Sequence, residues 1–134
     1  MLALFWMDLQ KISLCAAWLC VALVVYATLS PLGSRPELTV DEPARIVFLE
    51  RFLAYALMGF LFTLGYPRRT LLVPLLIIGL AIGLELSQLL IPDRDARVID
   101  AIEKLAGGLT GIWLARFFQY LIQRLTQAPP ARSR

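Results

Sequence analysis

Apolar residues in this chain gather into long unbroken runs instead of alternating with polar ones. Ile12 to Leu32, Phe52 to Tyr66 with its upstream extension, and Leu71 to Ile91 each carry more apolar residues than one buried face of a soluble helix requires. A helix crosses the roughly 30 Å hydrocarbon core of a bilayer with about 20 mostly apolar residues. The three runs therefore predict spanning helices at about 12–32, 43–66 and 71–91. A fourth run, 98–122, is interrupted by Asp100, Glu103, Lys104 and Arg116, yet Leu105 to Ala115 carries no charge and its flanking side chains can snorkel. The predicted architecture is an all-α integral membrane four-helix bundle with short loops. It forms a single domain over residues 1–127, followed by a disordered basic tail at 128–134.

Turn chemistry separates the runs. Residues Gly33 to Glu42 are rich in Gly, Pro and acids and read as a loop on the outer side. Asp41 and Pro43 read as a helix start, with a capping carboxylate and a proline in the first turn. Pro67 ends the second helix, Thr70 is placed to cap the third, and Pro74 falls in the first turn of that helix, where proline is tolerated.

Composition agrees with the pattern. With 134 residues and 59% hydrophobic content, and a mean hydropathy of +0.72, no stretch remains for a soluble domain. The net charge of +3 would suit nucleic acid, but its distribution argues against that partner. One side of a four-helix topology carries Lys11, Arg68, Arg69, Arg116, Arg124, Arg132 and Arg134 against Asp8 alone; the other carries six basic residues against nine acids. Two arginines in a very short hairpin and a basic tail orient both termini toward the cytoplasm, in a multi-pass protein of the inner (cytoplasmic) membrane. The first run is too long, and its start too poor in basic residues, for a cleaved signal peptide, so it is read as a retained helix. Trp6, Trp18, Trp113, Phe117 and Tyr120 suit packing or interfacial anchoring. Cys15 and Cys20 share one helix, and the chain has no histidine, so neither a disulfide, a metal site nor a cofactor is expected.

The candidate chemistry lies in the few polar residues within the runs. Glu85 is an ionisable group inside a hydrocarbon-length helix, which costs roughly 3 kcal/mol or more on insertion scales, and Gln88 follows one turn later on the same face. With the third helix ending at Ile91, Glu85 lies roughly 10 Å inside its outer end. Arg94, Arg97 and Asp100 crowd the loop behind Pro92, and Lys104 sits one turn below Asp100. On the second helix Arg51, Tyr55 and Gly59 recur every four residues. Arg51, Tyr55, Glu85, Gln88, Arg94, Asp100 and Lys104 are thus expected to converge into one polar cluster in the outer half of the bilayer. Gly79 and Gly83, and Gly107 and Gly111 beside Gly108, have the small-x-x-x-small spacing that lets helices approach closely in lipid, and are expected to pack the third and fourth helices together.

These spacings also carry a resemblance. Residues 50–59, with Arg51, Phe52, Tyr55 and Gly59, resemble the first motif of the VanZ-like family of small membrane proteins, in which a polar residue, often histidine, precedes Phe-x-x-Tyr and a glycine. Glu85 and Gln88 followed by Pro92 and Arg94 resemble the family's Glu-x-x-Gln and Pro-x-Arg, and Asp100, Lys104, Gly107 and Gly111 resemble its last helix. The resemblance spans about residues 45–115. Arg51 stands where many members have histidine and Lys104 where many have asparagine, which removes a proton-shuttling imidazole and adds two cations. The chain is thus similar to a divergent member.

The family takes its name from a protein associated with resistance to teicoplanin, a lipid-anchored glycopeptide acting at the outer face of the membrane. The resemblance implies an envelope- or lipid-associated protein affecting glycopeptide susceptibility. Three readings of the polar residues stand side by side. Arg51, Arg94 and Lys104 can bind an anionic lipid headgroup, amphiphile or envelope precursor. Glu85 can instead pair with Lys104 or Arg51, with Gln88 and Tyr55 completing the hydrogen bonds, in a structural or accessory subunit whose function lies in a membrane protein partner. In the third reading Glu85 is a general base in a membrane enzyme acting on a lipid phosphate or acyl group, although Ser87 lacks a base to activate it as a nucleophile.

Overall fold

The computed structural model describes residues 2–29, 44–88, 90 and 98–126. Nearly all of these lie in four α-helices: α1 (Leu2–Leu29), α2 (Ala44–Gly65), α3 (Leu72–Gln88) and α4 (Val98–Thr126). The all-α bundle implied by the apolar runs is the observed architecture. Helix ends differ from those the hydropathy suggests. α1 begins at Leu2 and not near Ile12, because the segment Leu2–Lys11 contains neither Gly nor Pro and is rich in good helix formers. α3 ends at Gln88 before the expected Ile91, and α4 continues to Thr126. The 33–42 loop, the Asp41–Pro43 helix start, the Pro92 turn with Arg94 and Arg97, and the tail at 128–134 lie outside the described residues.

The connection between α2 and α3 shows how sequence sets a boundary. Pro67 has no N–H to continue the helix, and the chain turns with Arg69 N donating to Tyr66 O at 3.1 Å. The last carbonyls of α2 lack helical partners. α4 supplies two donors there: Gln119 Nε2 to Thr63 O at 3.2 Å, and Arg116 to the Pro67 carbonyl at 3.3 Å.

Helix directions follow from which residues meet. Gly107 abuts Phe52, Gly111 abuts Ala56, and Gln119 reaches Thr63, so α2 and α4 run parallel. Gly108 against Ile77 together with Lys104 on Glu85 makes α3 antiparallel to α4, and Gly65 against Leu14 together with Phe62 on Trp18 makes α1 antiparallel to α2. The Trp18 and Phe62 rings meet edge to face with 5.4 Å between centroids and fasten α1 to α2. α1 touches α3 lightly and, among the described residues, does not touch α4. The common core is Ala17, Val21, Tyr55, Met58, Phe62, Val73, Ile77 and Ala81.

The glycines divide into two groups, and one expectation is corrected. Gly107, Gly108 and Gly111 are buried on one face of α4, where a Cβ at Gly107 or Gly111 would overlap the carbonyl of Phe52 or Ala56. Gly59 of α2 lies equally close to the Gly108 carbonyl. This close approach joins α4 chiefly to α2, with Ile77 of α3 filling the space over Gly108. Gly79 and Gly83 do not take part. Both are exposed with open space beyond them, because α3 turns Val73, Ile77, Ala81, Leu84, Glu85 and Gln88 inward and leaves those glycines on the opposite face.

Gly111→Ala is therefore expected to destabilise the bundle by ~1–3 kcal/mol through backbone overlap, whereas Gly79→Ala should leave it unchanged. Denaturation of the two variants in mixed micelles, followed by circular dichroism, checks this; equal midpoints would contradict the assigned packing.

Candidate functional site

The polar residues collect at the end of the bundle where α2 and α4 begin and α3 finishes. Arg51 and Tyr55 lie one turn apart on α2, and Asp100 and Lys104 one turn apart on α4. Because α2 and α4 are parallel, the two Arg/Asp and Lys positions come level with each other, and antiparallel α3 delivers Glu85 to the same place. Two separate ion pairs result. The Arg51 guanidinium meets the Asp100 carboxylate at 2.5 Å, with 35% and 14% of the two side chains exposed. Lys104 Nζ donates to Glu85 Oε1, and those side chains are only 4% and 10% exposed.

One converging cluster was expected; two stacked pairs of unequal depth are found. Glu85 takes Lys104, and Arg51 goes to Asp100, since the Gly107 and Gly111 contacts bring the start of α4 against α2 at the level of Arg51. Glu85 is also shallower than expected: α3 ends at Gln88, which puts it only about 5 Å from the helix end. Gln88 is buried on the same face of α3 without joining either pair. Arg94 lies outside the described residues.

Tyr55 does not complete the Glu85 hydrogen bonds. Among the described residues, its hydroxyl and Glu85 Oε2 are both buried without a hydrogen-bond partner. Tyr55 instead lines a narrow apolar crevice with Val21, Val25, Met58, Leu80 and Leu84, about 130 Å³ of non-atom space and too tight to seat a water. Such unsatisfied buried groups are uncommon, and each calls for a physical explanation.

The arrangement limits the available chemistry. The buried Glu85 carboxylate engaged by the Lys104 ammonium ties α3 to α4. The Ser87 hydroxyl donates to the Gly83 carbonyl of its own helix at 2.8 Å, so it is not presented to a base. Cys15 and Cys20 are free thiols on α1, the first facing outward.

Other polar residues of the interior escaped the sequence pattern. Thr63 is fully buried and donates to Gly59 O at 2.7 Å, and Gln119 and Arg116 cap the far end of α2. Their signal was present: Thr63 continues the four-residue series Arg51, Tyr55, Gly59, and Gln119 continues Gly111 and Ala115.

Outside, the bundle is apolar. Ile12, Leu19 and Leu23 of α1, Leu75 and Leu86 of α3, and Trp113 of α4 face outward, while Glu85 and Lys104 sit inside. α1 from Trp6 and α2 from Val47 are each long and apolar enough to cross a bilayer; α3 is apolar but shorter. Apolar outside and ion-paired inside define a membrane protein built as a small helical bundle. The chain belongs to the VanZ/LLP1 family, whose model matches residues 4–119, so that α1 is part of the shared unit along with the motif-bearing helices. No curated protein and no solved structure matches it.

Removing one member of the deep pair should leave the other charge buried and unpaired. Lys104→Met is expected to destabilise by about 3–5 kcal/mol, and the double exchange Glu85→Lys with Lys104→Glu to recover most of that loss. Unfolding midpoints in mixed micelles measure both; no recovery in the double variant would mean that the pair is not a self-contained lock.

Proposed function

We propose that this VanZ/LLP1 protein is a multi-pass protein of the cytoplasmic membrane, with both termini inside, that takes the anionic head of an envelope lipid or precursor at its charged outer end. Arg51 is the contact residue. One observation supports this reading most: Arg51 is paired to Asp100 yet a third of its side chain is exposed. An arginine in that position can exchange an internal carboxylate for an external phosphate while staying charged and forked, so the exchange carries little added desolvation cost. Arg94, a few residues before Asp100 in sequence, is assigned to the same role on its spacing and charge. On this reading, occupation of the site changes how a membrane-anchored glycopeptide engages precursors at the outer face.

A second reading is supported for the deeper pair by its burial. Lys104 and Glu85 neutralise each other and leave no space for a headgroup between them, which suits a lock joining α3 to α4. The two readings divide the polar end into a fixed inner pair and an exchangeable outer one. A general-base role for Glu85 draws no support from its engagement with Lys104.

The test is lipid retention. Full-length protein extracted with its lipid in a polymer disc, read by native mass spectrometry, should carry an anionic lipid or precursor. Arg51→Ala and Arg94→Ala should each lose it, Arg51→Lys should keep part of it, and Asp100→Asn should retain more by freeing Arg51. Equal retention by wild type and Arg51→Ala would overturn headgroup binding and leave the accessory-subunit reading. Expression of wild type should shift teicoplanin susceptibility of a host strain, and Arg51→Ala should not.

A further inference from the structure

The turn between α2 and α3 gathers positive charge that no described carboxylate offsets. Arg68 and Arg69 are exposed behind Pro67. α4 brings a third guanidinium to them: Arg116, half-buried, donates to the Pro67 carbonyl at 3.3 Å, the carbonyl that joins Pro67 to Arg68. Among the described residues the ion pairs are Arg51 with Asp100 and Lys104 with Glu85, both at the opposite end of the bundle. The acid described at this end is Asp8, one turn from Lys11 on α1, and α1 does not touch α4 among the described residues. Like charges on one turn repel, and a neutral carbonyl only partly replaces the water that a half-buried guanidinium gives up. A phosphate beside the three arginines relieves both, since guanidinium groups fork onto its oxygens.

The side of α4 that bears Arg116 indicates where such a phosphate comes from. Leu109, Trp113, Arg116, Tyr120 and Arg124 recur at spacings of three and four along one side of the helix. Leu109 and Trp113 are exposed toward the middle of the bundle, and the Arg124 guanidinium lies 5.1 Å from the centre of the Tyr120 ring at its end. The order is apolar, apolar, cation, tyrosine, cation. It matches the order that an acyl chain, a phosphate and the interfacial layer take across one leaflet, where tyrosine is enriched. A free anion would use the charges alone and leave the apolar part of this stripe unmatched.

We propose that Arg116, with Arg68 and Arg69, forms a phosphate site for an anionic phospholipid of the leaflet at the hairpin end, whose acyl chains lie along Leu109 and Trp113. The site lies at the opposite end of the bundle from Arg51 and does not rest on headgroup binding there. It faces the surrounding lipid and exchanges with it, so cross-linking reads it where retention through extraction does not.

The test uses full-length protein in phosphatidylcholine vesicles with trace phosphatidylglycerol or phosphatidylcholine probes, each carrying a diazirine beside the glycerol, and maps the labelled segments. Phosphatidylglycerol should label 66–70 and 113–120 at least fivefold more than phosphatidylcholine, with about fivefold lost for each arginine removed. Arg116→Gln should show that loss and Arg116→Lys should keep part of the preference. The double variant Arg68→Gln with Arg69→Gln, in an exposed turn, should lose the preference without a change in melting temperature. Raising salt from about 50 to 500 mM should shrink the preference, and Arg51→Ala should leave it unchanged. Equal labelling by the two probes would overturn the proposal and leave these arginines as determinants of orientation only. So would a preference that is the same at both ends of the bundle, or one that survives intact in the folded hairpin variant.

Discussion

Between helices in hydrocarbon, burial of apolar surface contributes little, because lipid tails are as apolar as leucine; what remains is close packing and polar contact. The face of α4 bearing Gly107, Gly108 and Gly111 supplies the closest packing in this molecule. With no Cβ there, the carbonyls of Phe52 and Ala56 and the side chain of Ile77 come into direct contact with the α4 backbone. Every feature of the charged end inherits its register from that contact. Asp100 reaches Arg51 because α4 lies parallel on α2, and Lys104 reaches Glu85 because α3 crowds in over Gly108.

Depth then separates the two pairs in kind. Lys104 and Glu85 are almost fully enclosed, so removing either leaves the other without its partner, and their pairing acts on stability and register. Arg51 and Asp100 sit nearer the end of the bundle and are more exposed. Position 51 carries a guanidinium, which can fork onto a carboxylate. Arginine keeps its charge whichever partner it holds.

α1 has a different relation to the bundle. It is held by Trp18 on Phe62 and Leu14 on Gly65, along one side of α2, and it closes the crevice over Tyr55 without reaching α4. The opposite end, where α4 donates through Gln119 to Thr63 O of α2 and through Arg116 to Pro67 O just beyond it, is tied by hydrogen bonds to backbone. The molecule is thus tied by hydrogen bonds to backbone at its basic end and by two ion pairs at the other.

Much of this was legible in the chain itself. Four apolar runs, punctuated by Pro67 and the polar segments, determined an all-α membrane bundle. The four-residue repeats Arg51–Tyr55–Gly59 and Asp100–Lys104–Gly108 determined which faces turn inward, because helical period alone places them. Partner choice was not determined there. Glu85 could equally have met Arg51 or Lys104, and two glycine pairs of identical spacing, 79/83 and 107/111, ended on opposite sides of the packing, one open to the outside and one against α2. Spacing fixes a residue's position around its own helix axis and says nothing of the angle and height at which another helix meets it. Those were decided by tertiary contact, where the bulk of Ile77 and the bare backbone of α4 selected one fit among several that the pattern allowed.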